Sequence, residues 1–254
     1  MATPPSGPKR VQLHRAVSKL GLASRTEATK AVHAGQVRVN GRVARDPLAW
    51  VSLGIDRITL AGQVAPSKRI HRHLVLHKPK GPVVTRDDEL NRPTVHALLP
   101  DDQPRVEAIG RLDADSEGLL LFTSDTLLAS RLLEPGHKVP KVYQLTVRGL
   151  PDEEALARVR GGIDLPGDLG RTQPCQARLL RPGTDKSVVE LILTEGKNRQ
   201  ARRMLAAVGH KVLRLVRQAF GPVRLADLPR GQWRDLTGEE VGSLYRAAGL
   251  HPPA

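Results

Sequence analysis

Apolar residues change their spacing several times along this chain, and each change marks an element. Val11, Leu13, Ala16, Val17 and Leu20 recur at helical intervals, and Gly21 can end that helix. Ser24-Arg25-Thr26-Glu27 has the capping-box pattern, in which a hydroxyl and a carboxylate three residues apart satisfy each other's backbone N–H groups. It opens a second helix with Ala28, Ala31 and Val32 on one face and Gly35 as its stop. Val37, Val39 and Val43 then alternate around Asn40-Gly41. Both central residues of a type I′ turn need positive φ, which Asn and Gly tolerate, so this dipeptide predicts a hairpin. Asp56–Leu60 predicts a further strand.

Beyond Arg69 the pattern is dominated by strands. Leu74–Leu76 opens the series, and Leu119–Phe122, an unbroken apolar run bounded by turn residues, predicts a buried strand. Lys141–Val147 alternates, Gln176–Leu180 and Ser187–Thr194 flank Pro182-Gly183, and Lys211–Val216 adds another strand. Helices are predicted over Asp125–Leu133, with Leu127, Leu128, Leu132 and Leu133 inward, over Pro151–Arg160, Asn198–Val208 and Glu239–Ala248. Asp152, Glu153 and Glu154 suit the first turn of their helix, where the dipole favours negative charge. Asp87–Arg92 reads as a polar loop and Val95–Leu99 as a short helical or turn segment. Strands outnumber helices and hairpins recur, which predicts an α+β fold. The expected organisation is a tail over 1–8, a small helix-helix-hairpin domain over 9–66, a linker over 67–73, and a larger domain over 74–254 with a largely antiparallel mixed sheet and flanking helices.

Charge sharpens this division. The 254 residues carry a formal charge of +14, and between Lys9 and Arg69 there are 12 Lys and Arg against 3 Asp and Glu, so +9 of the +14 lies in the smaller domain. A solvated basic face is the ordinary meaning of such a run, but here it coincides with a compact fold, and arginine's planar fork suits phosphate, so a polyanion partner is expected. Cys175 is the only cysteine, which excludes an internal disulfide and a cysteine metal cluster. His71, His73 and His77 sit at strand spacing without a matching carboxylate or cysteine, so they are read as surface or partner-facing histidines, not metal ligands. No apolar leader and no run of membrane-spanning length is present, so a cytoplasmic, soluble protein is expected, acting as a monomer.

The chemistry concentrates in Gly110-Arg111-Leu112-Asp113-Ala114-Asp115-Ser116-Glu117-Gly118, which leads directly into the Leu119–Phe122 strand. A polar loop anchored to a rigid, buried element is a good place for a reactive group. This stretch resembles the active-site motif of the ribosomal RNA pseudouridine synthases, in the branch that modifies small- and large-subunit RNA. Lys78-Pro79-Lys80-Gly81 with Pro93-Thr94-Val95, then Lys141-Val142-Tyr143, and Glu195-Gly196-Lys197-Asn198-Arg199-Gln200-Ala201-Arg202-Arg203-Met204 match the same family in the same order. Thr126 and Ala201 depart from its usual Gly and larger aliphatic residue; the first bears on a helix entry and the second on a pocket wall. The two short helices and hairpin of the basic domain resemble the S-four-type RNA-binding domain, the αL motif, which implies a grip on a structured RNA stem by phosphate and shape.

The resemblance implies an isomerase that converts a uridine in ribosomal RNA to pseudouridine, with the Lys-Val-Tyr and Glu-Gly-Lys-Asn-Arg-Gln segments favouring the large subunit. The reaction is redox-neutral: uracil leaves its ribose, turns, and rejoins through carbon, so no cofactor and no metal are expected. By the family pattern Asp113 is the catalytic carboxylate and Arg202 the cation that keeps it ionised, with Arg199 and Arg203 as competing choices. The target base must be extruded from folded RNA. Arg111 is the family's candidate for filling the gap left behind, a salt bridge to Asp115 or Glu117 being its structural alternative. Tyr143 is expected to stack on the flipped base; Phe122, inside an apolar strand, is assigned to the core. Arg25, Lys197 and Arg199 are expected to contact RNA. Two rival readings are weaker. A non-catalytic RNA-binding or ribosome assembly factor predicts a damaged Arg-Leu-Asp or a missing Tyr, and neither is seen. A glycoside hydrolase using Asp113 with Asp115 or Glu117 usually has an aromatic-lined cleft, whereas this chain has six aromatic residues and a net charge of +14.

Overall fold

The computed structural model describes residues 10–53, 55–64, 71–101, 106–167 and 169–252. The chain divides into two compact units, Met1–Ile70 and His71–Ala254. The expected tail over 1–8 and residues 67–70 of the expected linker lie outside the described residues. His71, Arg72 and His73, also expected in the linker, belong to the second unit, where Arg72 donates to Asp235 and His73 starts a strand.

The first unit runs β1 (Arg10–Gln12), α1 (Leu13–Lys19), α2 (Arg25–His33), β2 (Val37–Val39), β3 (Arg42–Ala44), β4 (Trp50–Ser52), β5 (Ile58–Leu60) and β6 (Gln63–Val64). Its four-stranded sheet has the order β3-β2-β5-β6. Helix α2 begins with the capping box: Ser24 accepts from the Glu27 N–H at 3.2 Å and Glu27 accepts from the Ser24 N–H at 2.8 Å. Asn40 and Gly41 both take positive φ (51° and 82°) between β2 and β3, as the predicted turn requires. One expectation fails here. Val11 is not helical; it sits in β1, opposite Val51 of β4, and the helix starts only at Leu13. Val11 and Leu13 both enter the core, which an extended residue leading into a helix achieves as well as a continuous helix does.

The second unit contains β7 (His73–Lys78), β8 (Glu107–Ala108), β9 (Glu117–Thr123), α3 (Thr126–Leu133), β10 (Lys141–Arg148), α4 (Glu153–Gly161), β11 (Asp164–Leu165), β12 (Gly170–Arg171), β13 (Gln176–Arg181), β14 (Lys186–Leu193), α5 (Gln200–Ala207), β15 (Val212–Phe220), β16 (Val223–Arg224), β17 (Trp233–Asp235) and α6 (Gly238–Ala247). Seven strands follow the order β13-β14-β10-β15-β9-β7-β17, with β16 beside β15 and β8 beside β9. Neighbours are antiparallel except β9 and β15, so the sheet is mixed and largely antiparallel.

The apolar run predicted at Leu119–Phe122 lies at the centre of this sheet. Every residue of β9 is buried, and its side chains feed two core clusters: Leu119 and Leu121 on one face, Leu120 and Phe122 on the other. Each such side chain contributes about 1.5–3 kcal/mol of apolar burial, which makes β9 a rigid base for the loop that precedes it. Its parallel contact with β15 depends on Gly118. That residue has φ +111°, and a Cβ there would lie 2.4 Å from the backbone N and O of Arg217. Helix α3 corrects a further expectation. Leu128 and Leu132 are buried, but Leu127 and Leu133 are 47% and 46% exposed, because an eight-residue helix resting on one side buries only an i, i+4 stripe. The histidine reading also changes: His73 and His77 are buried in β7, and burial lowers His73 to about 4, so it is neutral.

Candidate active site

The loop Gly110–Ser116 is held from below by a lysine. Lys78, the last residue of β7, has no exposed surface, and its Nζ donates to the carbonyl oxygens of Pro79 (3.0 Å), Asp113 (3.1 Å) and Ser116 (2.9 Å). Three carbonyls match the three N–H groups of an ammonium. Burial pulls Lys78 down to about 8, against the opposing pull of Asp113, Asp115 and Glu117. At the far end of the loop Glu117 pairs with Arg214 (2.9 Å) and Arg230 (3.1 Å), which fixes the entry to β9.

Above this base, two aspartates meet two arginines. Arg199 is the N-cap of α5 and lies in the left-handed region (φ 49°), outside the helix expected to contain it. That turn directs its guanidinium at the loop: Nη1 and Nη2 donate to Asp115 at 3.1 and 2.8 Å, and Nη1 lies 3.4 Å from Asp113 Oδ2. Arg202, on the first turn of α5, takes a different place from the one expected. Its Nη2 donates to the Asp115 carbonyl at 3.0 Å and approaches the Asp115 carboxylate at 3.5 Å, and Nη1 donates to the Val212 carbonyl at 3.3 Å. Arg199, not Arg202, is therefore the arginine in ion-pair range of Asp113 among the described residues. The reason is local: a helical residue is confined to one face, whereas the left-handed residue before the helix turns the chain toward the loop. Arg203 reaches only Asn198, at 3.3 Å.

The electrostatics follow from these contacts. The Arg199 hydrogen bond holds the Asp115 carboxyl below its usual range, and Asp115 in return raises Arg199. Arg202 is pulled down by burial. Lys141, buried near Phe220, is also lowered by desolvation and then by Arg217. Positive charge thus surrounds the loop from Lys78 on β7 and from Arg199 and Arg202 at the start of α5, a field suited to negative charge that develops during a reaction.

A cavity of about 410 Å³ opens over this cluster, and Arg111, Asp113, Tyr143, Glu195, Arg199 and Arg202 are among its lining residues. Asp113 and Arg199 are 38% and 40% exposed at the side chain, Arg202 only 12%. Tyr143 is half-buried and packs against two core clusters, one with Leu145 and Leu191 and one with Leu120 and Phe122. Ala201 and Leu215 complete an apolar wall. Arg111 is exposed and makes no hydrogen bond or ion pair among the described residues; its alternative partners are engaged elsewhere, Asp115 with Arg199 and Glu117 with Arg214 and Arg230.

Two residues expected to contact RNA are placed as follows. Lys197 was expected to contact RNA, but its ammonium is occupied: Nζ donates to the Arg171 carbonyl at 2.7 Å and also to the Leu169 carbonyl, clasping the β11–β12 hairpin to the loop before α5. Arg25 is exposed at the start of α2 in the first unit. Sequence reasoning missed Lys78 as the support of the loop and missed Arg217 altogether. No group of three or more His, Cys, Asp or Glu among the described residues is placed to hold a metal ion.

Comparison with known proteins agrees with this architecture. Residues 72–207 match the family model described as RNA pseudouridylate synthase, and residues 12–47 match that of the S4 domain. The chain is 37% identical over 242 residues to an RNA pseudouridine synthase of Aquifex aeolicus, covering 94% of this chain and 96% of that protein. This protein belongs to the RNA pseudouridine synthase family. The ribosomal large subunit pseudouridine synthase B of Bacillus subtilis is 35% identical over 239 residues, covering 93% of this chain and 96% of the relative. A crystal structure of a pseudouridylate synthase superposes with a TM-score of 0.66 at 30% identity, covering 92% of this chain and 99% of the other. The expected isomerase activity and the α+β fold with its N-terminal RNA-binding domain are borne out by these matches. No helix among the described residues is long and apolar enough to cross a membrane.

Proposed function

We propose that this pseudouridine synthase isomerises a uridine of large-subunit ribosomal RNA, with Asp113 as its catalytic carboxylate. The observation that carries the assignment is the position of Asp113: it faces a cavity beside Arg199, on a loop fixed by Lys78 and β9, with Tyr143 in the same cavity. The large-subunit assignment draws on the kinship with the Bacillus subtilis enzyme, whose name specifies that subunit.

In this reading the target nucleotide leaves its helix and enters the cavity, Arg111 fills the space it vacates, and Tyr143 lies against the uracil. Arg199 sets a positive charge 3.4 Å from the Asp113 carboxylate, on the side of the cavity where the nucleotide would lie. The bond between ribose C1′ and uracil N1 breaks, uracil turns, and C1′ bonds to C5. The proton lost from C5 equals the proton gained at N1, so one group that gives its proton to N1 and takes another from C5 closes the balance. The phenol of Tyr143 is suited to that exchange.

The first unit would bind a stem of the same RNA through Arg25 and its neighbours. Mapping pseudouridines in ribosomal RNA from cells with and without this protein is the test. Loss of a large-subunit pseudouridine, restored by the wild-type chain but not by Asp113→Asn, is expected; loss confined to the small subunit would refute the subunit assignment.

A further inference from the structure

Arg217 lies inside the second unit, 2% exposed, on β15. Its Nε donates to the Leu119 carbonyl at 2.7 Å, and its guanidinium carbon lies 5.5 Å from the centre of the Phe220 ring. Its Nη2 is buried without a hydrogen-bond partner among the described residues. A buried unpaired donor on a charged group is costly, and a side chain needed only to satisfy Leu119 would not carry it.

The sheet places one candidate reason beside it. Tyr143 is the direct cross-strand partner of Arg217, at the point where β10 shifts register against β15. Side chains of directly opposed residues share a face with Cβ atoms ~4.5–5.5 Å apart. Tyr143 also lines the cavity that contains Asp113. Arg217 itself cannot shift easily, because its backbone touches Gly118 so closely that no Cβ fits between them. Burial lowers the Arg217 guanidinium, and Tyr143 is the group that opposes that shift. The neighbouring charges that act on Arg217's surroundings are Lys78 from β7 and Lys141 from β10, both of like sign, so Tyr143 offers the guanidinium the counter-dipole they do not.

We propose that Arg217 is a positioning residue for Tyr143. From the adjacent strand it holds the phenol oxygen as an acceptor, which turns the hydroxyl proton to the cavity. When that proton leaves, the phenolate faces a cation that cannot itself be neutralised. The inference rests on the reading of Tyr143 as the proton-exchanging group of the site.

A double-mutant cycle in the full-length protein tests it, with single-turnover rates, RNA affinity and thermal melts measured on an rRNA fragment for Arg217→Met, Arg217→Lys, Tyr143→Phe and the double variant Arg217→Met with Tyr143→Phe. Arg217→Met is expected to slow product formation by about 10- to 100-fold with RNA affinity within about twofold, and Arg217→Lys to recover part of the loss. The double variant is expected to be no slower than the slower single variant, because both changes disable one device. Multiplicative effects, or a wild-type rate in Arg217→Met, overturn the inference and leave the role of Tyr143 intact. A wild-type rate in Tyr143→Phe defeats the reading of Tyr143 as well. Should Arg217→Met not fold, the same cycle with Arg217→Lys decides, additivity again counting against the coupling.

Discussion

Lys78 Nζ donates to the backbone carbonyl of Asp113 at 3.1 Å from a side chain with no exposed surface. A buried ammonium therefore sets the height of the Gly110–Ser116 loop, and its removal has two separable effects. Lys78→Met leaves buried carbonyls unpaired, each on the order of 1–3 kcal/mol, so a lowered melting temperature is expected together with a slower reaction. The pH dependence has a definite sign. Burial lowers Lys78 to about 8 from 10.5, so between those values the unfolded chain binds the proton that the folded chain has lost. Stability attributable to this group thus rises with pH across that window, and its destabilising contribution is fully present below about pH 8. The wild-type protein should gain thermal stability relative to Lys78→Met as pH rises from about 8 to 10. Its reaction rate should fall over the same range, because a neutral amine has too few N–H groups for three carbonyls. Parallel melting curves at all pH values would remove Lys78 from this role.

Asp113→Asn keeps the side chain's shape and loses its charge. Pseudouridine formation should disappear, with RNA affinity changing by less than about tenfold, since phosphate contacts dominate binding. A single-turnover assay beside a filter-binding measurement separates the two quantities; near-wild-type turnover in the variant would sink the assignment.

Arg199, at the N-cap of α5, and Arg202, within it, should respond in opposite ways. Arg199 is 40% exposed and its side chain meets Asp113 and Asp115, so Arg199→Met should slow catalysis by ~10-fold or more while the melting temperature stays nearly constant. Arg202 supports the Asp115 and Val212 carbonyls from a nearly buried position, so Arg202→Met should lower the melting temperature by several degrees, about 2–4 °C per kcal/mol in a domain of this size. The reverse pattern, a stable but inactive Arg202→Met beside a fully active Arg199→Met, returns Arg202 to the position of charge partner.

This contrast also marks how far sequence carries the reading. The capping box at Ser24, the buried run at Leu119–Phe122 and the alternation at Lys141–Val147 are local signals, and each names the element that forms. Arg199 and Arg202 are three residues apart in a segment with helical periodicity, and nothing local says that Arg199 takes φ 49° and leaves the helix. Lys197 reads as a free cation because the carbonyls it meets, Leu169 and Arg171, are 28 and 26 residues away. Lys78 and Arg217 escape notice for a related reason. Charged residues are rarely buried, so a sequence pattern assigns them to the surface unless tertiary partners are known. Strand β15 also runs four residues past its expected end at Val216, and that extension contains Arg217 and Phe220.

The first unit is a compact body with its own core of Leu13, Ala16, Val17, Val32 and Ile58 among others, and it carries much of the positive charge. Removing residues 1–70 should leave the second unit folded. Affinity for an rRNA fragment should fall, and the plot of log affinity against log salt should become shallower, because fewer phosphates are neutralised. An unchanged slope would mean that the basic face of this unit is only solvated.

Tyr143 can act through its ring, its hydroxyl, or its packing, and these separate under substitution. Its ring is half-buried at the cavity wall, where stacking on an extruded base is worth about 1–3 kcal/mol. If stacking is all it does, Tyr143→Phe should release uracil from ribose and complete the isomerisation, with Tyr143→Ala impaired throughout. If the hydroxyl moves the proton between C5 and N1, Tyr143→Phe should break the glycosidic bond and then stall, so that the rearranged product fails to appear. If the residue is only a piece of the core, both variants should lose thermal stability in proportion to activity, as a cavity would require. The structure favours the second outcome, because Arg217 on the neighbouring strand supplies a charge that a plain stacking ring has no use for. Single-turnover assays with Tyr143→Phe and Tyr143→Ala, run beside melts, distinguish all three, and full activity in Tyr143→Ala would take the residue out of the site.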